Sequence, residues 1–371
     1  MSKSLQEREE EYMRECLILA KKGAGYVSPN PMVGAIIVKD GKIIGRGFHA
    51  RYGEPHAEVN AIRNTKEKVN DATLFINLEP CNFTGKTPPC TDLIISSKIK
   101  RVVIGMTDPN PAVSGKGIRI LRKEGIKVEL GVLEDECRKL NRAFTKFITT
   151  HLPYVTLKIA QTLDGKIADC KGNSQWISDA TSRSLTHRLR AEYDAVLVGA
   201  ETVRKDNPFL TVRNVKGRNP KRVIINPALD IPIDANVFSD VTPGSVFLFA
   251  DSKYVTKKER IIKILSARGV KIFFLNPGSD GKFAIKDILL LLGKNLIASV
   301  LVEGGASTLG RFIQEKAADH LMLFIAPKLL GSGLASVLMT PERLLGNEVN
   351  LHNLSAANLE NDILLEGYFK G

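Results

Sequence analysis

The amino-acid sequence predicts an α/β layer protein built from two domains, residues 1–150 and 151–371. Three observations carry this expectation. Short apolar runs of strand character alternate with amphipathic helical runs along the chain, an order that packs helices on both faces of a sheet. A length of 371 residues suits about two cores of roughly 150 residues each. Near residue 150 a helical run meets His151-Leu152-Pro153, where proline breaks it and a new series of strands begins.

In the first domain, Glu7 to Lys22 carries Tyr12, Cys16, Leu19 and Ala20 at helical spacing and stops at Gly23. Two apolar stretches within residues 32–49 meet at Lys39-Asp40-Gly41, where Asp-Gly signals an antiparallel hairpin. Residues 56–64 read as a helix with Pro55 in its first turn, followed by a strand over 73–78 that leads into Glu79-Pro80-Cys81. Then come a helix from Cys90 to Ser97, a strand over 101–106, a helix from Gly117 to Lys123, a strand over 126–130 and one continuous helix from Glu134 to Thr150. The second domain opens with a strand from Tyr154. Further strands fall at 194–200, 222–226, 245–250, 270–275, 297–305, 320–327 and 362–369, with helices between several of them and the last strands pairing antiparallel. There is no internal repeat and no low-complexity segment.

Bulk composition narrows the functional classes. Charged residues are 25% and hydrophobic ones 43%, the balance of a folded globular chain. The first residues are acidic and lack an apolar stretch, so neither a secretory nor a transit signal is read there and the cytoplasm is expected. The longest apolar region is interrupted by Lys294 and Asn295, and no membrane segment is expected. The net charge of +13 is spread evenly, with 25 basic against 18 acidic residues up to residue 150 and 28 against 22 beyond it. Diffuse positive charge suits capture of small phosphorylated anions. With aromatics at 6% and no basic run interleaved with them, no nucleic-acid partner is expected.

The chemistry concentrates in four residues of the first domain. His56 and Glu58 stand at the opening of a helix, Cys81 at the end of a strand, and Cys90 at the start of another helix. One imidazole and two thiols suit a zinc site with three protein ligands and a fourth position left for water. Residues two apart do not share a helix face, so Glu58 is placed to carry a proton between that water and a departing amine. The order H-x-E followed by P-C and a second cysteine follows the established zinc-deaminase signature H-x-E…P-C-x-x-C, with a longer insertion between Cys81 and Cys90 than that signature has. The helix dipole is expected to favour the thiolate of Cys90. A fourth protein ligand from a distance, Cys16 or His49, stays open at this point, and Cys137 and Cys170 read as ordinary thiols. The Gly85-Lys86-Thr87 triplet is no phosphate loop, because that motif needs a glycine where Pro80 stands.

In the second domain no G-x-G-x-x-G follows a strand. Instead, an apolar strand runs through Gly304 and Gly305 into Ser307, Thr308 and a helix, where bare N–H groups suit a phosphate, although a plain turn capped by Ser307 or Thr308 would look the same. Lys158 alternates with Leu157 and Ile159 on a strand and faces either a cleft or solvent.

Taken together, SPNPMVGAIIVKDG, HAEVNA, EPCNFTGKTPPC and DPNPAVSGKGI in the first half, with TLDGKIA, SQWIS, VGAETVRKDNPFLTVR and LVEGGASTL in the second, resemble the bifunctional riboflavin-biosynthesis deaminases/reductases over nearly the whole chain. The resemblance implies a cytidine-deaminase-like three-layer α/β/α domain followed by a dihydrofolate-reductase-like α/β domain. It implies one Zn2+ on His56, Cys81 and Cys90, with Glu58 as the catalytic acid and base. It also implies two consecutive reactions: a phosphoribosylated diamino-pyrimidinone loses an amino group as ammonia, and NADPH then reduces the ribosyl group of the product to ribityl. The residues implied to contact the deaminase substrate are Asn30, His49, Lys86, Asp108 and Asn110; turn formation before proline would also account for Asn30 and Asn110. The implied cofactor contacts are Ala160, Trp176, Thr202, Asp206, Gly305, Ala306, Ser307, Thr308, Leu309, Gly310 and Arg311. The implied reductase substrate contacts are Lys158, Ser174, Arg190, Leu210, Arg213 and Glu303, the two arginines being suited to a phosphate. A homo-oligomer is expected.

Overall fold

The computed structural model describes residues 4–83, 88–341 and 343–370. The chain divides into two compact units, one ending at His151 and the other beginning at Leu152.

The first unit is three-layered. Its sheet contains β1 (Gly34–Lys39), β2 (Lys42–Phe48), β3 (Thr73–Leu78), β4 (Arg101–Met106) and β5 (Lys127–Leu130), in the order β2-β1-β3-β4-β5. β1 runs antiparallel to β2 and β3, whereas β3, β4 and β5 are parallel. The β1–β2 turn places Asp40 and Gly41 at φ of 49° and 74°, the double left-handed geometry that the Asp-Gly pair predicts. Alternation along β1 sends Ala35 and Ile37 to one core and Ile36 and Val38 to the other. Helices Ala57–Arg63, Cys90–Ser96 and Lys116–Lys123 cover the first face; Leu5–Lys21 and Glu134–Leu140 cover the second.

Three sequence expectations shift here. The first helix starts at Leu5 because Ser4 and Glu7 form a reciprocal capping box. Pro55 precedes the N-cap His56 instead of sitting inside the helix, so it fixes the approach and not the first turn. The expected single helix over 134–150 is two, Glu134–Leu140 and Arg142–Thr150. Asn141 interrupts it because its buried side chain is committed to the backbone of Met32, accepting from Met32 N at 2.8 Å and donating to Met32 O at 3.0 Å.

The second unit is a nine-stranded sheet flanked by helices, with a separate two-stranded ribbon. Its strands are β6 (Tyr154–Thr162), β7 (Lys166–Ala168), β8 (Ala195–Gly199), β9 (Lys221–Ile225), β10 (Val246–Asp251), β11 (Lys271–Leu275), β12 (Ser299–Val302), β13 (His320–Ala326), β14 (Leu334–Ala335), β15 (Leu351–Leu359) and β16 (Asp362–Phe369). The large sheet has the order β11-β10-β9-β8-β12-β6-β13-β16-β15, parallel up to β13 and antiparallel through β16 and β15; β14 pairs with β7. β15 was not legible, because its residues are mostly exposed and show no apolar alternation. On β8, Val196 and Val198 join one core while Ala195 and Leu197 join the other. Helix Ala306–Gln314 begins at N-cap Gly305 with no side-chain cap, so neither Ser307 nor Thr308 caps it. It packs tightly: a Cβ on Gly310 would stand 1.7 Å from the Leu338 carbonyl oxygen.

Candidate active sites

In the first unit, His56, Cys81 and Cys90 converge. Their Nδ1 and Sγ atoms all lie within 4.8 Å of one another, the single metal-competent cluster among the described residues. Each arrives on a different element. His56 is the N-cap of helix Ala57–Arg63 and makes no side-chain cap, its ring meeting the sulfurs of Cys90 at 3.3 Å and Cys81 at 3.6 Å. Gly47 on β2 lets that helix lie close, since a Cβ there would stand 2.3 Å or less from backbone atoms of Ala57 and Ala61. Cys81 follows β3, and Cys90 opens its helix, donating its backbone N–H to Cys81 Sγ at 3.4 Å. One nitrogen and two sulfurs make a soft, compact donor set that fits tetrahedral zinc and not an oxygen-seeking cation.

The two thiols differ in acidity. Hydrogen bonds from Cys90 and His56 pull Cys81 down to about 4. Cys90 is pushed the other way by its hydrogen bond to the Cys81 sulfur and by burial. Without a metal ion between them, Cys81 collects the donors, and Cys90 is one of them. The hydrogen bond to Cys81 holds His56 above its ordinary value. Glu58 is buried, which raises its carboxyl above the usual range, and it hydrogen-bonds Cys90.

These groups open into a cavity of about 290 Å³ whose lining includes Asn30, His49, Asp108 and Asn110. Asn30 Nδ2 lies 3.2 Å from His49 Nε2, and His49 Nδ1 lies 3.2 Å from Pro55 O. His49 is thus set beside the cluster, ring against ring with His56 at 5.4 Å, and is no metal ligand; burial lowers its pKa. Cys16 is also no ligand, donating to Phe75 O within the core. Burial pushes Asp108 up to about 6. Lys86 lies outside the described residues.

Several contributors escaped sequence reasoning. Asn77, fully buried on β3, accepts from Gly34 N and donates to Met32 O, so together with Asn141 it clamps the segment just after Asn30. Phe144, Phe147 and Ile148 line the cavity; their helical spacing would ordinarily indicate core. Glu79 also lines it, next to Cys81.

In the second unit, Arg190 and Glu303 form a bidentate ion pair at 2.7 and 2.8 Å, with side chains 11% and 9% exposed. Arg190 also donates to Thr211 O at 3.2 Å, which ties it to the segment leading to Arg213. Arg213 lies over Phe209 at 4.9 Å, and its backbone N–H donates to His187 Nδ1. Leu210 is buried with φ of 56°. Lys158 is half-buried with its ammonium 5.2 Å from the Phe324 ring, and burial lowers its pKa.

Thr202 Oγ1 accepts from Gly305 N at 3.2 Å, and Asp206 accepts from Ser174 Oγ at 3.3 Å, which joins four of the expected positions in two contacts. The remaining expected cofactor positions divide. Trp176 is 64% exposed beneath the Arg183 guanidinium, and Ala160 and Thr308 are half-buried. Ser307 is exposed, whereas Ala306, Leu309 and Gly310 are buried and Arg311 is turned to Glu315 and Phe283 O. The uncapped helix start beside paired glycines fits a phosphate-bearing cofactor.

Comparison with known proteins covers both units. Residues 153–365 match the family described as RibD C-terminal domain, and residues 6–106 match the cytidine and deoxycytidylate deaminase zinc-binding region. The chain is 46% identical to the riboflavin biosynthesis protein RibD of Aquifex aeolicus over 333 residues, covering 89% of this chain and 90% of that protein. It is 36% identical to the RibD of Escherichia coli, covering 90% and 92%. Among solved structures, a Thermotoga maritima diaminohydroxyphosphoribosylaminopyrimidine deaminase/5-amino-6-(5-phosphoribosylamino)uracil reductase aligns with TM-score 0.85 at 40% identity, covering 99% of this chain and all of that one. Acinetobacter baumannii RibD aligns with TM-score 0.87 at 34% identity and the same coverage.

Proposed function

The chain belongs to the RibD family of riboflavin-biosynthesis deaminases/reductases, and from that premise we propose that it deaminates a phosphoribosylated diamino-pyrimidinone and then reduces the ribosyl group of the product with NADPH. The observation that carries the first step is the cluster of His56, Cys81 and Cys90, with His56, Cys81 and buried Glu58 lining a cavity of about 290 Å³.

His56, Cys81 and Cys90 would hold one zinc ion, which when bound supplies a Lewis acid that lowers the pKa of a water molecule. Glu58 moves the proton. Burial raises its pKa, so the carboxylate can take a proton from water, hold it as the acid and release it to the departing ammonia. Asn30 and His49, locked to each other, and Asp108 with Asn110 orient the pyrimidinone ring. In the second unit, Thr202, Asp206, Trp176 and the helix start at Gly305 would hold NADPH, which supplies the hydride. Lys158, Ser174, Arg190, Leu210, Arg213 and Glu303 would contact the ribosyl substrate, the two arginines being suited to its phosphate. Here orientation is the main contribution of the protein. The partners in this reading are small phosphorylated pyrimidines, with a homo-oligomer in the cytoplasm as the working form. The diffuse positive charge supports capture of such anions.

Glu58→Gln tests the proton role. Ammonia release falls by about 10²–10⁴-fold, zinc stays bound, and NADPH oxidation with supplied deaminated product persists. Undiminished ammonia release would remove Glu58 from the mechanism.

A further inference from the structure

We infer that Glu79 is a positioning residue of the first unit, one that ties the loop bearing Asp108 and Asn110 to the strand end bearing Cys81. The inference rests on the deaminase reading for its substrate, but its geometry stands independently. Glu79 is buried, 3% exposed, and its carboxylate accepts three backbone N–H groups. Oε2 receives Asp108 N at 3.2 Å and Gly115 N at 2.9 Å; Oε1 receives Ile118 N at 3.2 Å. Both ends of the segment from Asp108 to Gly115 are therefore anchored to one carboxylate.

The need for this follows from the sequence. Helix Lys116–Lys123 has Gly115 as its N-cap, at φ of 71°, and glycine has no side chain with which to cap. Glu79 arrives from another element and accepts two of the helix-start N–H groups, those of Gly115 and Ile118, as an anion at a helix start. The fit is close: a Cβ on Gly117 would lie 2.3 Å from Pro80 O and 3.2 Å from Glu79 Oε1. Between the anchors the loop organises itself, Asp108 Oδ1 accepting from Asn110 N at 2.8 Å and Asn110 Oδ1 accepting from Ala112 N at 3.0 Å. Two residues after Glu79 comes Cys81, and Glu79 N donates to Met106 O at 3.0 Å, so β3, β4 and the loop are registered at one point. Displacing the carboxylate moves Asp108 and Asn110 relative to the cluster without removing a donor from it.

The test is Glu79→Gln in the full-length, zinc-loaded chain. Glutamine has one acceptor oxygen and must turn an NH₂ toward at least one of the three N–H groups. Hydrogen exchange over 107–118 accelerates while the remainder of the unit keeps its protection. KM for the phosphoribosylated diamino-pyrimidinone rises ~10-fold or more, as expected for lost hydrogen bonds to a charged group, with kcat much less affected. Zinc stays near one per chain. A double-mutant cycle with Asn110→Ala gives a combined KM effect well below the product of the single effects. Unchanged exchange over 107–118, independent KM effects, or loss of zinc or of global protection would each overturn the inference. Failure of the unaltered chain to release ammonia would count against the deaminase reading, while the exchange result would still decide the anchoring.

Discussion

Replacing Glu303 with glutamine removes the charge that balances Arg190 in the second unit. The pair is bidentate, at 2.7 and 2.8 Å, and both side chains are about nine-tenths buried. Exposed ion pairs contribute little, but removing one partner of a buried pair leaves an uncompensated charge and costs about 3–5 kcal/mol. For a unit of this size that is a loss of roughly 6–20 °C in Tm. The pH dependence has a definite sign. Burial alone would raise the Glu303 carboxyl, yet the charge and hydrogen bonds of Arg190 outweigh it and hold the pKa below the ordinary value. A depressed folded pKa means that the unfolded chain binds the proton more readily, so the stabilisation is present above the ordinary carboxylate range and disappears as pH falls through the folded value. The gap in Tm between the unaltered chain and Glu303→Gln is therefore widest near neutrality and narrows below about pH 4. Calorimetry of both chains from neutral to acid pH measures it. A gap under about 1 kcal/mol near neutrality, or one that does not change with pH, would refute the claim that this pair is a buried structural tie.

Two further outcomes follow from the first unit. Burial places Asp108 at about 6, so if its carboxylate contacts substrate, the KM for deamination worsens as pH falls through 6 and improves above it; a flat profile from pH 5 to 8 would separate Asp108 from binding. Asn141→Ala strips Met32 N of its acceptor, while Met32 O keeps the donor from Asn77, so the cost is about 1–3 kcal/mol, read as a lower denaturation midpoint.

Much of this architecture is written locally. Asp40-Gly41, the alternation within β1 and the helical spacing of Tyr12, Cys16 and Leu19 each depend on neighbouring residues alone, and each produces the expected element. His56, Glu58, Cys81 and Cys90 were legible because donor chemistry and chain order are both visible in the sequence, and the structure gathers them at one place. What was hidden depends on contacts between distant segments. Asn141 splits a helix because Met32 lies beside it, 109 positions earlier. Glu79 caps a helix that begins at Lys116. The ion pair of Arg190 with Glu303 joins residues 113 positions apart and has no local signal. Leu309 and Arg311 sit in a stretch suited to a cofactor, yet helical periodicity turns Leu309 into the core and Arg311 toward Glu315. The β15 segment gave no signal because an exposed strand carries no apolar alternation.

One chain carries two chemically separate activities, deamination and reduction, and the proposed order is deamination first. The direct measurement supplies the phosphoribosylated diamino-pyrimidinone to the zinc-loaded chain with and without NADPH, following ammonia and cofactor absorbance together. Ammonia is expected in both cases, with NADPH oxidation that lags ammonia release and never exceeds it. NADPH consumption without prior ammonia, or ammonia release that requires NADPH, would contradict that order.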